Sequence, residues 1–217
     1  IEVSATDGLG NQSPLTTINI GLPEYAEYTG TDSGIPVGAL STKAIHAADL
    51  NGDGNVDIVE LNDDGGRCLM HQDDGTFVAM TGEACGLPTL TGYRCSQMGD
   101  MDGDARLDLV YFDSDGAALL LGSGDGTFLP SGVSMIVDAG ITDCQLIDRN
   151  RDGRLDIIAV TPDNVYVLTA NEGNAFDLEP QDSLPFLGLD ILNDYSYLEA
   201  VDLNDDGFMD LIASGGV

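Results

Sequence analysis

The sequence predicts an all-β fold of repeated four-stranded units, and three observations lead to it. Four decapeptides align without gaps: DLNGDGNVDI from Asp49, DMDGDARLDL from Asp100, DRNRDGRLDI from Asp148 and DLNDDGFMDL from Asp202. Their spacings are 51, 48 and 54 residues. A second landmark follows the first three at constant distance, because DDGTF, GDGTF and NEGNAF end at Phe77, Phe128 and Phe176, each 28 residues after the first Asp of its decapeptide. Between these landmarks the apolar residues follow the period of strands. A rigid 28-residue part joined by elastic connectors of 20 to 26 residues is the pattern of one supersecondary unit repeated along or around an axis.

The elements follow in chain order. Residues 1–22 read as a hairpin, with strands at 1–6 and 14–20 around a DGLGN turn. Residues 21–35, with Pro23 and several glycines, read as a linker or an irregular edge. Repeats then begin near residues 44, 95, 143 and 197 and fill 23–217. Just before each decapeptide the third residue back is polar (His46, Gln97, Gln145, Glu199) and the second is apolar (Ala47, Met98, Leu146, Ala200), which predicts a strand with one buried face. A run of β-formers begins at the last residue of each decapeptide: IVEL at 58–61, LVYF at 109–112, IIAV at 157–160 and LIAS at 211–214. In the first three repeats a turn and a second apolar segment follow (RCLM, ALLLG, VYVLT), and the connector supplies a fourth strand. Four-stranded units every 50 residues or so are β-propeller blades.

Composition narrows the function. The 217 residues carry 38 Asp plus Glu against 7 Lys plus Arg, a formal charge of −31, so the long-range field repels phosphate and makes nucleic acid and anionic membranes poor partners. With 42% apolar and 21% charged residues, the chain is nevertheless not a disordered acidic tail. No apolar run approaches the roughly 18 residues of a membrane span, and the N-terminal residues lack the pattern of an export signal. Membrane insertion is therefore not expected. Cys68, Cys85, Cys95 and Cys144 lack the spacing of zinc ligands, leaving disulfides or buried thiols. Cys68 falls where other repeats have Leu119 and Val167, as a core thiol would. Cys95 and Cys144 precede successive decapeptides by five and four residues, and so could face one another across neighbouring blades.

The decapeptide D-x-[ND]-x-D-G-x-x-D places oxygen ligands at positions 1, 3, 5 and 9 and a backbone carbonyl at position 7. Ca²⁺ takes about six to eight oxygens, and alternate residues of a tight loop converge on one point only where a flexible residue turns the chain at position 6. Gly54, Gly153 and Gly207 meet that need, whereas at Ala105 either a positive φ carries some strain or the loop differs slightly. The expected side-chain ligands are Asp49, Asn51, Asp53 and Asp57; Asp100, Asp102, Asp104 and Asp108; Asp148, Asn150, Asp152 and Asp156; and Asp202, Asn204, Asp206 and Asp210. The expected carbonyls are those of Asn55, Arg106, Arg154 and Phe208. Mg²⁺ fits less well, since it wants a smaller octahedron and keeps its waters. Acidic surface turns are the bland alternative, but four loops in register, each with three or four carboxylates, repel themselves without a cation. About four Ca²⁺ would bring the formal charge from −31 to −23. A helical EF-hand is excluded: Glu60 stands at position 12 of the first loop, but Tyr111, Ala159 and Ala213 stand there in the others, and strand-like sequence follows.

The D-x-[ND]-x-D-G-x-x-D-[IL] loops followed by GDGTF resemble FG-GAP/VCBS repeats, the calcium-binding blades of integrin-α-type propellers and of large bacterial surface proteins. The resemblance covers about residues 35 to 217, and 71–86 is similar to the connector of such repeats. It implies a propeller usually of seven blades, with calcium loops between the first two strands of each blade. A fourth Phe landmark would fall at position 230, so the propeller is expected to draw further strands from a longer chain or from elsewhere. The segment 1–22 resembles the closing hairpin of an immunoglobulin- or cadherin-like domain; as an alternative it is two strands of an earlier blade. An extracellular setting would favour Cys68–Cys85 and Cys95–Cys144 among the three possible connectivities.

His46, His71 and the remaining residues assemble no nucleophile–base set, and the chain is read as non-catalytic. The favoured role is a calcium-stabilised adhesion or structural module of a secreted or cell-surface protein, whose face loops bind an extracellular protein or a glycan. The alternatives are a propeller domain of a polysaccharide-degrading enzyme, for which seven Lys plus Arg and no Trp offer little to an acidic polysaccharide, and a filament subunit that pairs with neighbouring copies.

Overall fold

The computed structural model describes residues 2–3, 16–17, 34–35, 41–135, 140–162, 164–171, 175–178, 195–207 and 209–215. The linker expected at 21–35 and the carbonyl of Phe208 fall largely or wholly outside them. β1 (Glu2–Val3) and β2 (Thr16–Thr17) pair antiparallel, with Glu2 opposite Thr17.

The repeats fold into antiparallel sheets in simple sequence order. The first unit comprises β3 (Thr42–Ala48), β4 (Asp57–Asn62), β5 (Arg67–His71) and β6 (Phe77–Thr81). The second comprises β7 (Cys95–Gly99), β8 (Asp108–Asp113), β9 (Gly116–Gly122) and β10 (Phe128–Met135), and the third β11 (Asp143–Ile147), β12 (Asp156–Val160), β13 (Val165–Ala170) and β14 (Phe176–Leu178). The fourth is a two-stranded sheet of β15 (Tyr195–Val201) and β16 (Asp210–Gly215).

The second strand of the second and third units is an unbroken run of β-formers because both its faces are covered. In β8, Leu109 joins an apolar cluster with Val59, Leu61 and Met70 of the first unit, while its neighbour Val110 joins one with Ile157 and Leu168 of the third. Likewise Ile157 turns toward the second unit and Ile158 toward Leu198 of the fourth. Alternate residues of one strand thus feed opposite seams, and the core lies between successive sheets. The Phe landmark has a local cause as well. Gln72, Ser123 and Asn171 each donate a backbone N–H to the carbonyl four residues on, at 2.8, 2.8 and 2.9 Å, and this turn launches β6, β10 and β14. Asp74 and Asp125 brace it by accepting from the amides of Thr76 and Thr127 at 3.0 Å.

Three expectations are corrected. The first strand of a unit does not have one buried and one polar, open face. Four residues before the decapeptide the side chain is buried in three units: Ser96, Cys144 and Leu198 are 6%, 0% and 3% exposed, while the equivalent Ile45 of the first unit is 64% exposed. The polar residue next to it points into the following seam. Gln97 Nε2 donates to the Cys144 carbonyl and Gln145 Nε2 to the Leu198 carbonyl, both at 2.9 Å, and His46 Nε2 lies 2.7 Å from Ser96 Oγ. A polar residue there bonds a backbone or side-chain group of the next sheet, which local alternation does not reveal.

The second correction concerns cysteines. Cys95 and Cys144 are bonded, with Cα atoms 6.1 Å apart, and join β7 to β11. Cys68 and Cys85 are not bonded to one another; they are fully buried thiols joined by a side-chain hydrogen bond, which with burial pushes the Cys68 thiol up. The third is a short helix, α1 (Gly82–Cys85), inside the all-β connector. Thr81 caps it by accepting from the Ala84 amide, and Gly86 ends it at φ 79°.

Candidate metal loops

Each decapeptide spans the turn between the first two strands of its unit: β3 to β4, β7 to β8, β11 to β12 and β15 to β16. Its local hydrogen bonds follow from the Asp and Asn spacing. The position-1 carboxylate turns back over the loop. Asp49 accepts from the amides of Gly52 and Gly54 at 2.8 and 2.9 Å, Asp100 from Gly103 and Ala105, Asp148 from Asp152 and Gly153, and Asp202 from Asp206 and Gly207. The position-3 side chain accepts from the position-5 amide in all four loops, through Asn51, Asp102, Asn150 and Asn204. Position 5 accepts from the position-7 amide in the first three, which holds the Asp53 and Asp152 carboxyls below the usual range.

Position 9 also serves as a strut. Asp57, Asp108 and Asp156 are fully buried at the start of the second strand. One oxygen of each accepts from the position-2 amide (Leu50, Met101, Arg149), and the other from an amide 14 residues on, at the end of the third strand (His71, Gly122, Ala170). The Asp210 carboxylate makes the first of these bonds with Leu203 at 3.0 Å. Burial pushes all three buried carboxyls up, Asp108 to about 6.

Ligand atoms of Asp100, Asp102 and Asp108 lie within 4.8 Å of one another, the one such acidic, His or Cys set among the described residues. The other loops hold Asn at position 3 and so carry one carboxylate fewer. Two expected ligands are partly engaged elsewhere: Asp104 pairs with Arg106 at 2.7 Å and Asp152 with Arg154 at 3.2 Å. Glu60 turns away onto the sheet, accepting from Arg67 at 2.7 Å and from the Thr42 hydroxyl, in keeping with the exclusion of a helical EF-hand. Ala105 takes φ 67°, as its place requires. Position 4 is also left-handed, at Gly52, Gly103, Arg151 (φ 59°) and Asp205 (φ 58°). The glycines of the first two loops were the only signal of it.

The described residues contain no helix long and apolar enough to cross a membrane. No curated protein matches the chain. Among solved structures, the chain is similar to one from a study of the specific recognition of non-reducing terminal N-acetylglucosamine by an Agrocybe aegerita lectin, with TM-score 0.57 and 22% identity. The match covers 98% of this chain and 54% of the lectin, so the chain spans about half the length of that structure. The FG-GAP-like repeat model matches three times, at residues 49–111, 100–158 and 148–213, each match running from one acidic loop through the next. The chain therefore belongs to the FG-GAP-like repeat family.

Proposed function

We propose that this chain is a calcium-binding, non-catalytic β-propeller module of an extracellular or cell-surface protein, whose loops bind a glycan or a protein. The observation that carries the proposal is the convergence of Asp100, Asp102 and Asp108 within 4.8 Å, at a place that recurs in all four decapeptides. Oxygens so close repel one another in their ionised forms, and a hard divalent cation suits an all-oxygen donor set. Asp49, Asn51, Asp53 and Asp57, and their counterparts in the other loops, would hold it. Bound there, the ion would neutralise the clustered carboxylates and tie two strands together.

The chain's own residues prepare those sites. Each position-1 carboxylate is oriented by two or more amides, and each buried position-9 carboxylate couples the loop to the third strand. The stacking of successive sheets supports closure into a propeller with more units than these four, and the lectin fold supports a glycan as ligand. The disulfide between β7 and β11 supports an oxidising location.

Thermal unfolding and metal stoichiometry, with and without a chelator at moderate ionic strength, test the calcium reading. About four ions bound and a large loss of Tm on chelation are expected; no bound ion and an unchanged Tm would sink it. A glycan panel tests the ligand reading separately.

A further inference from the structure

Three of the chain's seven basic residues fall in the third decapeptide, DRNRDGRLDI. The repeats are their own control for what those arginines replace. At position 2 the first and second units carry Leu50 and Met101, 8% and 2% exposed. Leu50 packs with Leu109 and Leu120 of the second unit, and Met101 with Ile157 and Leu168 of the third, so each plugs the loop end of the seam that follows its unit. The third unit has Arg149 instead. At position 4 the first two loops have glycine in the left-handed region, where the third has Arg151 at φ 59°, a conformation a side chain disfavours.

Both departures lead to one place. Arg149 and Arg151 line a cavity of about 360 Å³ between the third and fourth units, with Leu146, Leu155 and Met209 as apolar walls. Arg151 Nη2 spans it to donate to the Gly207 carbonyl at 2.5 Å. Where the other two seams are closed by an apolar side chain, this one is open and bordered by two guanidiniums. The size suits a small ligand, and a guanidinium fork matches a carboxylate.

We propose that this cleft binds a carboxylate-bearing sugar residue, the two arginines taking the carboxylate and Leu146, Leu155 and Met209 meeting the C–H face of the ring. The proposal deepens the glycan reading above and rests on it. It also reverses what composition suggests: seven basic residues are few for an acidic polysaccharide, but two of them gathered on one cleft suffice for one carboxylate. A polyanionic peptide fits less well, since each further negative charge meets the field of a chain at −31. Asp148 borders the same cavity and sets a like-charge cost that the arginines must outweigh.

Calorimetric titration of the whole chain with glucuronate and with glucose, at about 0.15 M salt where the long-range field is screened, tests it alongside Arg149→Leu and Arg151→Gly. Each variant restores the residue of a sibling unit and is expected to melt no lower than the parent. Glucuronate should bind saturably and glucose should not, and each variant should weaken glucuronate at least tenfold. Equal binding of both sugars, or glucuronate affinity unchanged in both folded variants, would overturn the assignment. An Asp-rich peptide that binds where glucuronate does not moves the cleft to a peptide ligand and overturns it too. Binding of neutral glycans alone in a panel sinks this inference and leaves the glycan reading standing, whereas no binding of any glycan sinks both.

Discussion

Gln97 donates through Nε2 to the main-chain carbonyl of Cys144 at 2.9 Å, 47 residues along the chain, and Gln145 does the same to Leu198 one unit later. Cys144 is also the disulfide partner of Cys95 and fully buried, so one residue of the third unit takes both cross-links from the second. In the next seam Asp143 repeats the scheme by accepting the Leu198 amide at 2.7 Å. The sheets are held side by side at the same point of each first strand.

Removing one such latch should cost a single hydrogen bond and the carbonyl's satisfaction. Gln97→Ala and Gln145→Ala are each expected to lower stability by about 0.5–1.5 kcal/mol in urea unfolding. The two sites serve different seams, so the double variant should be close to additive. A strongly non-additive result would show that the seams do not act as separate latches.

Opening the Cys95–Cys144 disulfide, which closes a sequence separation of 49 residues, should cost about 2–4 kcal/mol, seen as a lower urea midpoint for Cys95→Ser. A thiol assay on the parent should find Cys68 and Cys85 unreactive when native and two equivalents after unfolding, because both are fully buried. Rapid native labelling of either would contradict that burial.

Asp108→Ala strips the acceptor from the amides of Met101 and Gly122, both in buried surroundings. With roughly 1–3 kcal/mol for each orphaned donor, a loss of about 2–6 kcal/mol is expected by denaturant unfolding in metal-free buffer. A change under about 0.5 kcal/mol would mean that the strut is not structural.

Ala105→Gly should stabilise the second loop. The residue sits at φ 67°, and the bond from its amide to Asp100 survives the change. A gain of about 0.5–1 kcal/mol is expected, and a loss would show that the left-handed backbone there is not strained.

Burial holds His46 below the ordinary imidazole range. A folded-state pKa lower than the unfolded one means that the unfolded chain binds more protons, so this group's contribution is present above the unfolded pKa and lost as pH falls through the folded one. His46→Gln, the residue the second and third units use, should remove that part of the acid sensitivity, by no more than about 1.4 kcal/mol per pH unit. Parallel Tm-versus-pH curves for parent and variant below pH 6.5 would refute it.

Much of the fold was legible because its causes are local. The constant 28-residue interval reports a hydrogen-bonded turn and a strand start, and the run IIAV reports a strand whose both faces are apolar. Within each loop, Asp and Asn at alternate positions bond amides two to five residues away, so the spacing alone foretold which residues share one turn. The helix at 82–85 was not legible, since four residues capped by Thr81 and Gly86 leave no periodicity to read.

By itself, then, the sequence determined the repeat, the order of strands within it and the acidic loop between the first two, all through contacts spanning a few residues or one hairpin. Only the tertiary structure decided what Gln97 and His46 face, which cysteines meet, and that Arg149 borders a cleft where Leu50 and Met101 close one. Those partners lie about fifty residues apart, and their meeting depends on how two sheets stack, which no single repeat encodes.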